Sequence, residues 1–414
     1  MSYLSDYAAL RAAWAAQRDM QPIEGMPYRL TQWRCTSNAA DLLPGHASYR
    51  CAEHDLCFVA EAVSEVSASV SGSNEALAIA DARIGENRDF IYHILAPAGV
   101  PRFNNAILLL HGLNEQHWEK CLPWALGLAR RCSRPVILFP LALHMQRAGA
   151  GWCVPRAMRD VSLERMERTP GLTASSFSNA AISTRLHAQP SRLFWAAMQS
   201  CMDVTALAGL LRSGRHSLFG EGTTVDFFGY SIGAFLSQLL LMADASPLFR
   251  DARAVLFCGG TTLDRMHLVD RAILDGAAWE ALLRFYGPDL PGHRMKDARL
   301  DHFLSDAHAL GRAFRLMSTF EGSRAERETA LEALRDRLIA VVLEGDTVIT
   351  PLDTLAVLDG EHGRPGIVTH VLDFAYPYSH IMPFPVQPKH EALVEAALHA
   401  FLDTAAGQFC RDGA

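Results

Sequence analysis

The sequence predicts an α/β fold: a mostly parallel central sheet with helices on both faces and helical lid insertions. Two observations carry this. Short apolar runs that stop at or near a glycine recur along the chain, as strands buried on both faces do. Segments of helical periodicity lie between them, and strand–helix alternation is the pattern of a parallel sheet built from crossovers. In order, an Ala-rich stretch, Tyr7 to Gln17, reads as helix, followed by irregular sequence around Pro22, Pro27 and Pro44. Residues 1–50 are therefore expected to form an N-terminal extension packing on a main body of residues 51–414. Asp89 to Leu95 reads as a strand closed by Pro97, and Asn105 to Leu110 as a strand ending in His111-Gly112. Further strands are expected at Pro135 to Leu141, Thr224 to Phe228, Ala254 to Cys258, Leu338 to Leu343 and Gly366 to Phe374. Helical spacing spans Trp118 to Arg131, Leu193 to Arg212, Ile232 to Ala243, Pro351 to Leu358 and His390 to Leu402.

Two connections, at about 142–190 and 261–336, exceed what a simple crossover needs. Both leave the carboxyl ends of strands, where open α/β sheets place their ligands. They are expected to act as lids.

Composition bounds the function. Half of the 414 residues are hydrophobic and 20% are charged, a core-forming balance. A net charge of -7 argues against a nucleic-acid partner, which would need a basic field. The N-terminus lacks a basic start followed by an apolar run, and no stretch reaches the roughly 18 apolar residues of a membrane span. A cytoplasmic protein with no membrane span is expected. Nine cysteines, odd in number and scattered, fit reduced thiols better than a disulfide framework. Cys51, His54 and Cys57 form a C-x2-H-x2-C pattern, but no second ligand pair follows at finger-like spacing. They read as ordinary thiols and a histidine, and no metal or cofactor is expected. Neither a P-loop nor a G-x-G-x-x-G after a strand is present.

Gly229-Tyr230-Ser231-Ile232-Gly233 is a G-x-S-x-G sequence between an expected strand and an expected helix. Such a serine sits at a sharp, strained corner, flanked by glycines because strand and helix approach too closely for side chains. Its hydroxyl stands above the sheet, and the following helix N-terminus directs free N–H groups at developing negative charge. The bland alternative is a buried structural serine.

Four segments together resemble the α/β-hydrolase superfamily over roughly residues 85 to 402: HGLNE after a strand, GYSIG, GDTVITP after a later strand, and YSH after the last. No subfamily is matched, and the HGGG of some esterases is absent. The resemblance implies an α/β-hydrolase fold with the order serine, acid, histidine. It implies Ser231 as nucleophile, Asp346 as acid and His380 as base, with the backbone N–H groups of Leu113 and Ile232 as oxyanion donors. Glu344 is the competing acid, and an N-cap or turn role the alternative for Asp346. Among 17 histidines, His380 alone follows the last strand and precedes the final helix, whereas His370 lies within the strand and His390 and His399 on the helix. His111 is expected to be structural.

The substrate is expected to be a small-molecule acyl compound, with Tyr230, Asn114, His144, Arg147 and Trp152 as candidate contacts. The first lid carries arginines 147, 156, 159, 165, 168 and 185 against Asp160, Glu164 and Glu167, which suits either an anionic ester or a solvated face. Ester hydrolysis is the leading expectation. Acyl transfer, amide or peptide cleavage, and non-catalytic binding on the same fold are the alternatives. Sequence says nothing of oligomeric state.

Overall fold

The computed structural model describes residues 2–16, 19–59, 75–243, 248–361 and 363–410; residue 17, the end of the expected first helix, lies outside them. In chain order the strands are β1 (Met20–Pro22), β2 (Tyr28–Thr36), β3 (Ser48–Cys51), β4 (Leu56–Val59), β5 (Asp89–Pro97), β6 (Phe103–Leu110), β7 (Val136–Phe139), β8 (Phe219–Tyr230), β9 (Ala254–Phe257), β10 (Leu338–Leu343), β11 (Gly360–Glu361), β12 (Arg364–Pro365) and β13 (Thr369–Leu372). Nine make one sheet, in the order β1-β2-β5-β7-β6-β8-β9-β10-β13. β5 runs antiparallel to both β2 and β7, and from β7 to β13 every pairing is parallel. β3–β4 and β11–β12 are separate two-stranded ribbons. From β2 onward, the order and the single reversed strand are those of the α/β-hydrolase fold.

Residues of the first 50 enter this sheet directly. β2 pairs with β5 from Tyr28–Pro97 to Thr36–Asp89. Its polar, half-exposed alternation, YRLTQWRCT, is what an antiparallel strand near a sheet edge carries.

Side-chain alternation along β6 sends Ala106, Leu108 and Leu110 into one core and Ile107 and Leu109 into the other. The first core is roofed by the helices Arg192–Arg212 and Ile232–Ala243, the second by Tyr3–Ala15, Leu122–Cys132 and Glu391–Phe409. Arg192–Arg212 is long and apolar enough to cross a membrane by length and composition, but 67% of its apolar window is buried within the protein. It packs along β8.

The connection 142–190 contains the helices Pro155–Arg168 and Ala180–Ala188. The connection 261–336 contains five helices, Gly276–Tyr286, Leu290–Lys296, Ala298–Phe303, Ala309–Leu316 and Arg324–Glu332. The two interlock. Arg165 donates to both carboxylate oxygens of Asp275, at 2.7 and 2.8 Å, and the Ser183 hydroxyl accepts the Asp275 N–H at 3.0 Å.

Candidate active site

β8 ends at Tyr230 and a helix begins at Ile232, so Ser231 alone makes the corner. It adopts φ +56°, a left-handed conformation costly for a serine. The corner leaves no room for side chains on either flank. A Cβ on Gly229 would fall 2.5 Å from the Gly233 carbonyl oxygen, and one on Gly233 would fall 2.2 Å from that of Leu110. The strain is held by packing and by backbone bonds. The Ser231 N–H donates to the Phe257 carbonyl at 2.9 Å, and the Ser231 carbonyl accepts from Ala234 at 2.9 Å.

The loops after β10 and β13 bring two further side chains to this corner. His380 Nε2 lies 2.9 Å from Ser231 Oγ, and His380 Nδ1 lies 2.7 Å from Asp346 Oδ2. All three residues are buried, at 2–3% exposure. Asp346 Oδ1 accepts the N–H groups of Val348 and Ile349 at 2.8 and 3.0 Å. With one oxygen held by backbone, the other is aimed at the imidazole, which must keep its proton on Nδ1 and present a bare Nε2 to the serine. Glu344, the competing acid, is exposed at the end of β10.

Sequence reasoning missed Cys258. Its buried thiol hydrogen-bonds the Asp346 carboxylate, and burial together with that charge pushes its pKa well up, so it stays a neutral donor. Tyr230 is the register partner of Phe257 across parallel strands, so Cys258 is the natural neighbour of Ser231, a signal available once the strand pairing is known.

The structure corrects two expected substrate contacts, Tyr230 and Arg147. Tyr230 is fully buried beneath the histidine loop. Its hydroxyl donates to the His380 carbonyl at 2.5 Å, and its ring stacks on the imidazole with centroids 5.4 Å apart. Lys120 sits over the same ring, pairs with Glu115 and donates to the Ile381 carbonyl at 3.0 Å. Arg147 is also fully buried. It donates to Asp203 Oδ2 at 2.7 Å, to Asn87 and to the Pro140 carbonyl, and it covers the Phe90 ring, so its charge is spent inside the protein. Asn114 gives its side-chain amide to the carbonyls of Ser178 and Ala272, at 2.9 and 2.7 Å, tying the loop after β6 to both insertions.

His144 and Trp152 line a pocket that also touches Leu113 and Asn114. A second, small and almost wholly apolar cavity is walled by Leu113, Ile232, His144, Leu193, Phe235 and Phe314. Burial lowers the His144 pKa to about 4, so this ring is neutral at neutral pH. Its Nδ1 donates to the Ala142 carbonyl at 2.8 Å. His111 is structural in its bonds: Nε2 accepts the Leu141 N–H at 2.9 Å, which leaves Nδ1 to donate to the Gly112 carbonyl. Among the described residues, the N–H groups of Leu113 and Ile232 have no protein acceptor.

The arginine excess of the first lid is largely neutralised. Arg147, Arg165, Arg168 and Arg185 pair with Asp203, Asp275, Glu164 and Asp81.

Several solved structures are similar to the chain at low identity. A cold-adapted esterase from an Arctic intertidal metagenomic library superposes with TM-score 0.37 at 10% identity, covering 92% of this chain and 96% of its own. Carboxyl esterase 2 of Tuber melanosporum gives TM-score 0.41 at 14% identity, covering 77% and 82%. The peroxisomal α/β-hydrolase Lpx1 of Saccharomyces cerevisiae gives 0.39 at 10% identity, covering 91% and 90%. No curated protein matches in sequence. A family model described as "Family of unknown function (DUF6051)" matches residues 1–410. With a match across nearly its whole length, the chain belongs to that family of unknown function, and its strand order is that of the α/β-hydrolase fold.

Proposed function

We propose that this protein is a serine hydrolase that cleaves a neutral carboxylic ester through an acyl-enzyme. The observation that carries the reading is the continuous hydrogen-bonded chain from Ser231 Oγ through His380 to Asp346. His380 Nε2 takes the Ser231 proton as Oγ bonds to the ester carbonyl carbon. The oxyanion is held by the N–H groups of Leu113 and Ile232, and Asp346 stabilises the imidazolium without taking its proton. Collapse breaks the bond to the alcohol oxygen, which leaves with the proton from His380. Water, deprotonated by the same nitrogen, then releases the acid and frees Ser231.

The apolar cavity beside Leu113 and Ile232 supports an apolar acyl group. The internal pairing of the lid arginines supports a neutral ester over an anionic one.

A fluorophosphonate probe, read by intact mass, tests the reading. One adduct per wild-type chain and none on Ser231→Ala is the expected result. A folded wild type that takes up no probe would overturn it. Product analysis with added alcohol then separates hydrolysis from acyl transfer.

A further inference from the structure

Away from Ser231, four side chains from two distant parts of the chain meet at one point. Cys51 ends β3, and His54 lies in the turn to β4. His302 lies on the helix Ala298–Phe303, and His308 caps the helix Ala309–Leu316. Cys51 Sγ is 3.4 Å from His54 Nδ1 and 3.5 Å from His308 Nε2, and His308 Nε2 is 2.8 Å from His302 Nε2. All four potential ligand atoms lie within 4.8 Å of one another.

The two S···N separations are close to the edge of a metal tetrahedron, and the 2.8 Å N···N separation is shorter than one. With Zn–S near 2.3 Å and Zn–N near 2.05 Å, ideal S···N and N···N edges are roughly 3.6 and 3.4 Å. Hydrogen bonding alone serves this cluster poorly. His308 Nε2 lies close to both Cys51 Sγ and His302 Nε2, and a ring nitrogen, with one proton or one lone pair, can bridge only one of them. A shared cation satisfies all four at once.

The donor set, one thiolate and three imidazoles, suits zinc. Glu53 Oε2 lies 3.4 Å from His308 Nδ1, the carboxylate-to-histidine arrangement that orients a ligating ring and adds compensating charge. Cys57 is not in the cluster. It is exposed on β4, opposite Arg50. The sequence pattern at 51–57 therefore holds two ligands, and the missing pair lies some 250 residues away (Cys51 and His308 are 257 positions apart).

We propose that Cys51, His54, His302 and His308 bind one zinc ion in a closed, four-ligand site that clamps the β3–β4 ribbon to the second insertion. Four protein ligands leave no open position for a substrate, so the ion's role is structural. The clamp bears on the candidate active site indirectly. The helix that His308 caps packs on the helix Ile232–Ala243, with Phe314 edge-on to Phe235 at 5.7 Å, and both rings wall the apolar cavity.

The test uses the full chain, stripped with a chelator and dialysed against zinc chloride, with metal content read by mass spectrometry. One zinc per wild-type chain is expected, with a rise in Tm on zinc addition. His54 is exposed, so His54→Ala keeps its fold; it should lose at least tenfold in zinc affinity and most of the Tm response. Cys57→Ser should bind as wild type does. Cobalt(II) in place of zinc should show a thiolate-to-metal absorption that Cys51→Ser abolishes. A folded wild type that takes up no zinc overturns the proposal. So does equal uptake by wild type and His54→Ala, or loss of the ion in Cys57→Ser.

Discussion

Replacing Asp346 by Asn tests the candidate chemistry in a way that removing the side chain would not. Oδ1 of Asp346 is held by two backbone N–H groups, at 2.8 and 3.0 Å. Those donors require an acceptor, so an asparagine must place its carbonyl oxygen there and turn its amide nitrogen toward His380. The imidazole is then forced to accept at Nδ1 and carry its proton on Nε2, facing Ser231 Oγ at 2.9 Å. A protonated Nε2 cannot take the serine proton. Asparagine is close to aspartate in size and shape, so the fold is expected to be retained. In the best-studied triad the same tautomer reversal lowers kcat by about 10⁴, or about 5 kcal/mol of barrier, and a similar loss is expected here. The assay is steady-state hydrolysis of a nitrophenyl ester, with Tm and circular dichroism confirming the native fold. A native-like variant that loses less than about tenfold in kcat would refute both the tautomer argument and the role given to Asp346.

Arg147→Ala leaves Asp203 as an unpaired buried carboxylate, and a loss of about 3–5 kcal/mol is expected in urea unfolding, with substrate preference unchanged in the surviving native protein. A stable variant with altered preference would return Arg147 to the substrate site. Ala196 borders both cavities, so Ala196→Phe should shorten the preferred acyl chain and raise KM for longer esters first; an unchanged chain-length profile would move the acyl group elsewhere. Burial holds the pKa of both His93 and His144 at about 4, below the ordinary value near 6.5. Between those values the unfolded chain binds more protons than the folded one, so stability rises with pH there. This contribution is complete above pH 6.5 and lost as pH falls toward 4, on the order of 3 kcal/mol for each ring. Tm measured from pH 7 to pH 4.5 should fall less steeply in His93→Phe than in wild type; parallel curves would contradict the assignment.

Local signals gave reliable elements wherever burial was two-sided. β10 and the helices Ile232–Ala243 and Pro351–Leu358 fall where apolar runs and helical spacing place them. β2 escaped notice because an antiparallel strand near the sheet edge mixes polar and apolar residues, and its partner β5 lies some sixty residues on. At the candidate site, Ser231, Asp346 and His380 could be selected from their positions after strands, and the structure brings them together. Residues whose meaning depends on a distant partner were opaque. Arg147 looked like a substrate contact because Asp203, its counter-charge, belongs to a helix 56 positions later. Tyr230 looked outward because nothing in its neighbourhood announces the His380 carbonyl 150 residues away.

The side-chain amide of Asn114 has a consequence for anyone rebuilding this protein. Because one NH₂ group is shared between Ser178 and Ala272, each insertion supplies part of the fastening for the loop after β6. The insertions are thus not independent modules. Grafting a foreign segment in place of either one loosens the other's latch and the oxyanion loop with it, unless the graft also brings a carbonyl to the same spot. Chimeras that exchange both insertions together should keep turnover that single exchanges lose.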